Sequence, residues 1–379
     1  MSPGTKILNQ ILENIPGQKK AKHTLNNFLY SEKIPHALLF AGNEGVGKDN
    51  AALQFAKAVA IKFNSAENER TIRSLDQLQE PYIKIIIPLP RGKNETDSSS
   101  PTEKLTQDEI ELYREELETK SKNPFHKIVI PKANTIKINS VRDIRKFLSM
   151  NYDETGYRFI LISDAHLMND EAQNSLLKNL EEPPENVLFI LTTSMLSKLK
   201  STIISRCWKI NFNPLGEEEI VFILSKYFNV EQAIAKEVAP FAMGSVRTAL
   251  QLIEMDFHVL KEKIISILRY SFGRKFNSAI DEINLVLSGQ SLPSFQIVVG
   301  MIITWLNDVQ KNRLNIHQFY FKDYEDTLQK FQNKFPDVQL NEITSRLEKL
   351  SNLTRNNINP SLLSANLTFE LASVVLESR

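Results

Sequence analysis

The stretch Ala37-Leu-Leu-Phe-Ala-Gly42-Asn-Glu-Gly45-Val-Gly47-Lys48-Asp49 decides the fold. Ala37 to Phe40 is a short apolar strand, Gly42 to Gly47 makes a turn, and the alanine-rich run Ala51 to Phe63 has helical spacing. A buried strand leading into a helix is half of a βαβ unit. Gly42 to Lys48 fits the pattern G-x-x-x-x-G-K, a phosphate loop. Its glycines let backbone N–H groups surround phosphate oxygens, the following helix offers its positive end, and Lys48 adds a point charge. The next position departs from the pattern, because Asp49 stands where Ser or Thr would ligate Mg²⁺. Two readings stay open: a residual site binding ATP and Mg²⁺ at most weakly, or a loop kept as scaffold.

Downstream, the alternation of strand and helix is interrupted and then resumes. Between Asn64 and Lys127 the apolar strand Tyr82 to Pro88 precedes RGKNETDSSSPTEK (91–104), which has little to bury and reads as a mobile loop. A charged helix is expected from Thr106 to Lys120. Ile136 to Ile138 reads as a short strand and Val141 to Met150 as a helix. Arg158 to Ile162 is a buried strand, Asp170 to Glu182 a helix capped by Asn169 and stopped by Pro183-Pro184, and Val187 to Thr192 another buried strand. Such alternation indicates a parallel sheet covered on both faces. After Pro214 no strand is evident: Glu217 to Phe228, Val230 to Phe241 and Ser245 to Met255 read as short helices, and longer amphipathic segments follow.

A working ATPase also needs an acidic pair ending an apolar strand. Here the strand ends Ser163-Asp164-Ala165-His166, where only Asp164 is acidic. Both the metal and the attacking water need their own group, so Asp49 and Ser163 together argue against efficient hydrolysis. His166 reads as a partly buried structural residue. With 46 Lys and Arg against 45 Asp and Glu, no global basic field draws the chain to nucleic acid, so any such contact is local or made by an assembly. The single cysteine, Cys207, excludes an internal disulfide and a cysteine-rich zinc site. The chain start shows no secretory signal, and Phe295 to Leu306 is too short to span a bilayer, so a cytoplasmic protein is expected.

Several strings then resemble one family in order: Ile34-Pro-His-Ala37, the phosphate loop, Asn174-Ser-Leu-Leu-Lys-Asn-Leu-Glu-Glu-Pro-Pro184, Thr192-Thr193, Ser205-Arg206-Cys207 and Gly244-Ser-Val-Arg247-Thr-Ala-Leu250. Together they resemble the bacterial DNA polymerase III clamp-loader subunits of the AAA+ class, over about Pro16 to Ile253. The resemblance implies an AAA+ α/β P-loop domain with a parallel sheet over 1–213, interrupted by an insert at 64–127. A small helical lid domain (214–256) and an all-α collar domain (257–379) would follow. Active gamma/tau members carry an intact phosphate loop and an Asp-Glu pair, which the alignment places at Ser163 and Asp164. The delta-prime members carry a degenerate site yet keep the Ser-Arg-Cys motif, as this chain does.

The resemblance therefore implies a largely ATPase-inactive delta-prime-type subunit. Arg206 would be an arginine finger acting in trans, and Gly42, Gly45, Gly47, Lys48, Asp49, Asp164, Thr193 and Arg247 a degenerate nucleotide site. No metal ligand set and no zinc are expected. Lys178, Glu181 and Glu182 lie in the most specific string but also read as solvated helix-surface residues. The implied partners are gamma/tau and delta subunits, the sliding clamp, and primer-template DNA through the assembled complex. An ATP-hydrolysing gamma/tau-type motor subunit, an unrelated AAA+ enzyme and a structural adaptor are the alternatives.

Overall fold

The computed structural model describes residues 11–64, 68–149, 156–288, 295–353 and 359–377. The chain divides into two compact units, Met1–Glu219 and Ile220–Arg379. The first is built on five strands: β1 (Ala37–Ala41), β2 (Ile83–Ile86), β3 (Arg158–Ile162), β4 (Val187–Thr193) and β5 (Trp208–Asn211). All neighbours are parallel, in the order β2-β3-β4-β1-β5.

Because side chains alternate along a strand, each inner strand feeds two cores. Leu38, Phe40, Phe159, Leu161, Leu188 and Ile190 pack on one face, with Leu25 and Leu29 of α1 (Lys19–Ser31) and with Phe55 and Val59 of α2 (Lys48–Phe63). Leu39, Ile160, Ile162, Phe189 and Leu191 pack on the other. There they meet Val141, Ile144 and Phe147 of α5 (Ile138–Ser149) and Ala172, Leu176 and Leu180 of α6 (Asp170–Glu181). Between β1 and α5 lie two further helices, α3 (Asn68–Gln77) and α4 (Gln107–Lys122).

Several boundaries differ from the sequence expectation. Ile136 makes only an isolated bridge to Met168, and Ile138 already opens α5, so no strand spans 136–138. Met150 lies outside the described residues. The polar helix α3 and the strand β5 were not expected. Asn169 does cap α6, accepting from the Ala172 N–H at 2.8 Å, and the helix ends before Pro183.

The loop 91–104 has more to bury than its composition suggests. Glu95 is buried and accepts from Lys137 Nζ at 2.8 Å, Asn139 Nδ2 at 2.7 Å and the Gly92 N–H at 2.8 Å. Lys137 also donates to the Pro90 and Pro101 carbonyls at 2.9 and 3.1 Å, and Pro101 is buried. A paired charge just before α5, with Asn139 in its first turn, ties this polar segment to that helix.

The second unit contains only helices among its described residues. α7 (Ser201–Ile204) still belongs to the first, and the division falls in the first turn of α8 (Glu217–Phe228). Then come α9 (Gln232–Val238), α10 (Val246–Glu254), α11 (Phe257–Phe272), α12 (Phe276–Ser288), α13 (Phe295–Arg313), α14 (Glu325–Lys334), α15 (Leu340–Leu353) and α16 (Pro360–Glu377). Ile297, Val298, Met301, Ile302 and Trp305 of α13 are all buried, and Trp305 meets Phe272 and Phe331. Asp308, fully buried in the same helix, accepts from the Tyr320 and Phe321 N–H groups at 2.8 Å each and from Lys311 Nζ at 3.1 Å.

Candidate functional site

Ligands of open parallel sheets sit beyond the carboxyl ends of the strands, where strand order reverses. That is where the ends of β1, β3 and β4 bring the phosphate loop, Ser163-Asp164 and Thr192-Thr193 together. The loop backbone has the shape the glycine pattern predicts. Gly45 and Gly47 take φ of 75° and 86°. A Cβ on Gly42 would lie 2.4 Å from the Phe212 carbonyl oxygen, so only glycine lets the loop pass β5. Gln18 fastens the loop from outside, donating to the Val46 carbonyl at 3.2 Å and the Asn213 carbonyl at 2.7 Å.

The charged groups are arranged differently from those of a magnesium-nucleotide site. Lys48 Nζ turns onto its own loop, donating to the Gly42 and Asn43 carbonyls at 2.8 and 2.6 Å. Burial draws its pKa down, against the pull of Asp49 and Asp164. Asp49, at the first turn of α2, is surrounded by donors. Its Oδ2 accepts from Lys120 Nζ and Ser163 Oγ, each at 3.2 Å, and its Oδ1 accepts from Thr192 Oγ1 at 2.9 Å. Burial pushes the Asp49 carboxyl up, but the Lys120 ammonium and the Thr192 hydroxyl outweigh it and hold the pKa below the ordinary value.

Asp49 and Ser163 thus form one bonded pair. In phosphate-loop NTPases a hydroxyl at the loop position and a carboxylate at the strand end share the metal. Here the carboxylate is on the loop and the hydroxyl on the strand, 3.2 Å apart. The cation facing them is the Lys120 ammonium, at the end of α4, which is buried and also donates to the His126 carbonyl at 2.7 Å. These residues do not fit Mg²⁺: the carboxylate oxygens are already engaged, one of them by a full positive charge.

Of the other site residues, Asp164 adjoins this centre. Asp164 takes left-handed backbone, donates its N–H to Thr192 Oγ1 at 3.2 Å, and pairs with Lys127 at 3.3 Å. Lys127 also pairs with Glu44 of the loop. Thr193 points away from Asp49, as alternation along β4 requires, and its hydroxyl meets His166 Nδ1 at 3.2 Å. His166 is buried, which draws its pKa down against the pull of Asp164. Arg206 follows α7, with its side chain 35% exposed, bonded to Glu181 Oε1 at 2.8 Å and to the Thr202 carbonyl at 3.0 Å. Lys178 and Glu182 are exposed on α6 and its C-cap. Arg247, half-buried in α10 behind the Ser245 cap, belongs to the second unit.

The family model described as DNA polymerase III, delta subunit, matches residues 17–216. The chain belongs to that family. This DNA polymerase III clamp-loader family includes the gamma, tau and delta-prime types. The chain is 31% identical to DNA polymerase III subunit tau of Bacillus subtilis over 65% of its own length and 37% of that protein. It is 28% identical to the gamma subunit of Buchnera aphidicola (Schizaphis graminum) over 67% of its length and 61% of that protein. With the Escherichia coli tau subunit the figures are 28%, 65% and 33%. The chain thus spans between about a third and three fifths of the length of these relatives.

Among solved structures, a gamma-subunit-related protein of Thermotoga maritima is similar at 15% identity and TM-score 0.36, covering 94% of this chain and 99% of that one. A RuvB mutant of the same organism gives 13% and 0.39, covering 79% and 78%. Among the described residues, no helix is long and apolar enough to cross a membrane.

Sequence reasoning missed Lys120, Lys127, Gln18 and the role of Thr192. Period-two alternation along β4 could have singled out Thr192 over Thr193. Nothing local could have found Lys120, which lies 71 residues from Asp49.

Proposed function

We propose that this clamp-loader family member is a largely ATPase-inactive subunit of the delta-prime type. It acts within the DNA polymerase III assembly to help load the sliding clamp on primer-template DNA. The observation that carries this reading is the Asp49–Ser163 pair with the Lys120 ammonium upon it. Metal-assisted phosphoryl transfer needs a cation bridging phosphate oxygens, and this pair faces an ammonium already bonded to Asp49.

Arg206 is the group offered to a neighbour. Its planar guanidinium is partly exposed and held by Glu181 and the Thr202 carbonyl, so it suits a contact with phosphate across a subunit boundary. In this reading Gly42, Gly45, Gly47, Lys48, Asp49, Asp164 and Thr193 form a scaffold derived from a nucleotide site. Arg247 belongs to a lid over 214–256, and 257–379 forms a collar joining gamma/tau and delta partners in the cytoplasm. The motor-subunit reading draws on the gamma and tau names of the relatives; the engaged Asp49 carboxylate speaks against it.

The test is ATP turnover by the purified chain alone, then mixed with gamma-type and delta-type partners, clamp and primed DNA. No turnover alone and strong turnover in the mixture, falling when Arg206→Ala is used, is the expected result. Turnover by the isolated chain that is abolished by Lys48→Ala would overturn it. Turnover in the mixture unchanged by Arg206→Ala would leave a structural adaptor.

A further inference from the structure

The last turn of α4 and the segment after it lie against the phosphate loop through three side chains. Lys120 Nζ meets Asp49, Lys127 Nζ pairs with both Glu44 and Asp164, and the Phe125 ring stands 3.1 Å from where a Cβ on Gly47 would sit. The turn that presents them is fixed internally. The Lys120 ammonium bonds the His126 carbonyl at 2.7 Å, and Glu116 Oε2 takes the Val129 N–H at 2.8 Å and His126 Nε2 at 3.0 Å. The far end of α4 is closed by a capping box between Thr106 and Glu109. The segment is therefore a braced element.

We infer that residues 120–127 are a tethered occupant of the phosphate loop, with the Lys120 ammonium replacing the divalent cation, so that the loop keeps its shape without nucleotide. The charges balance as this requires. Asp49, Glu44 and Asp164 face Lys48, Lys120 and Lys127, three carboxylates against three ammonium groups. A magnesium triphosphate would bring net negative charge to a site whose cations are already neutralised. It would also have to displace a buried ammonium from the carboxylate that needs it. Exchanging hydroxyl and carboxylate between Ser163 and Asp49 puts the negative charge on the loop, within reach of Lys120. This assigns a task to the region between Asn64 and Lys127 that the proposed function does not supply, and it stands whether or not Arg206 acts in trans.

The 379-residue chain is titrated into Mn²⁺, with and without ATP, and free Mn²⁺ is read by electron paramagnetic resonance. The wild type is expected to leave the Mn²⁺ signal unchanged. Lys120→Met should bind Mn²⁺ at least about tenfold more tightly, because Asp49, Ser163 and Thr192 then present oxygen ligands without an ammonium. Wild-type binding of Mn²⁺-ATP equal to that of the variant, or no gain in the folded variant, would overturn the inference. Should Lys120→Met fail to fold, amide hydrogen exchange of the wild type decides. Protection across 118–128 unchanged by excess Mg²⁺-ATP supports the tethered occupant, and any change in that protection refutes it. Neither readout involves partner subunits, so failure here leaves the Arg206 reading to its own test.

Discussion

Returning the exchanged residues to the usual order, Asp49→Ser together with Ser163→Asp, isolates the energetics of the pair. Asp49→Ser alone strands the Lys120 ammonium, whose side chain is 6% exposed, with neutral acceptors such as the His126 carbonyl. Breaking a buried pair costs about 3–5 kcal/mol; the Asp49 side chain is 26% exposed, which places this one near 3 kcal/mol. Ser163→Asp alone sets a second carboxylate beside Asp49, both sharing one ammonium, for a loss of about 1.5 kcal/mol once one of them protonates.

The double variant keeps one carboxylate, one hydroxyl and one ammonium in contact, because the two side chains stand 3.2 Å apart. Its cost should be about 1 kcal/mol, so the coupling energy is about 3.5 kcal/mol. Urea unfolding followed by Trp208 fluorescence in a Trp305→Phe background reports on the first unit. With a slope of about 2–3 kcal/mol per molar, Asp49→Ser should lower the midpoint by about 1 M and the double variant by less than half of that. Losses that add within about 0.5 kcal/mol would refute the idea that Asp49 and Ser163 are one exchanged pair.

Three further outcomes follow from groups outside that pair. Lys137 and two neutral donors hold the Glu95 carboxyl below the ordinary carboxylate range against the effect of burial. A depressed folded pKa stabilises above the unfolded value and loses its effect as pH falls through the folded one, so Glu95→Gln should cost about 1–3 kcal/mol at pH 7. Thermal melts of wild type and variant should converge as the pH drops below about 4. Asp308→Ala leaves two backbone N–H groups and Lys311 without their carboxylate and should cost about 3 kcal/mol, with Asp308→Asn costing less; calorimetry of the second unit's transition measures both. Burial pushes the Cys207 thiol up to about 12, so at pH 8 its reaction with an aromatic disulfide should be more than about 100-fold slower in the folded chain than in urea.

What was legible in the sequence follows from where the burial lies. β1, β3 and β4 are continuous apolar runs because both faces are covered, and such runs announce themselves. β5 has only Ile210 buried, while Trp208, Lys209 and Asn211 are exposed at the sheet's edge, so no run marks it. α3 reads NERTIRSLDQ, with Leu75 and Thr71 buried amid charge, too sparse a stripe to stand out. The glycines, Lys48, Asp49, Ser163 and Asp164 were readable because a loop between strand and helix has a fixed spacing. The ammonium that completes them comes from a distant helix, and pairing at that separation leaves no periodic trace. Glu95 was hidden for the same reason: its partner Lys137 lies on the far side of α4.

The place of β2 bears on how the span between Asn64 and Lys127 can vary in length. The span between Asn64 and Lys127 contains the edge strand of the sheet, with Ile83 to Ile86 in register with Phe159 to Ile162. It is therefore not an appendage that could have been grafted whole onto a finished domain, nor one that can be trimmed away. Deleting it would leave β3, apolar from Phe159 to Ile162, with a bare row of backbone N–H and C=O groups, a template for pairing with other chains. Changes in length that spare the sheet fall before Ile83 or after Ile86, where the backbone is not part of it. Lineages that differ in this region should differ there and keep the strand.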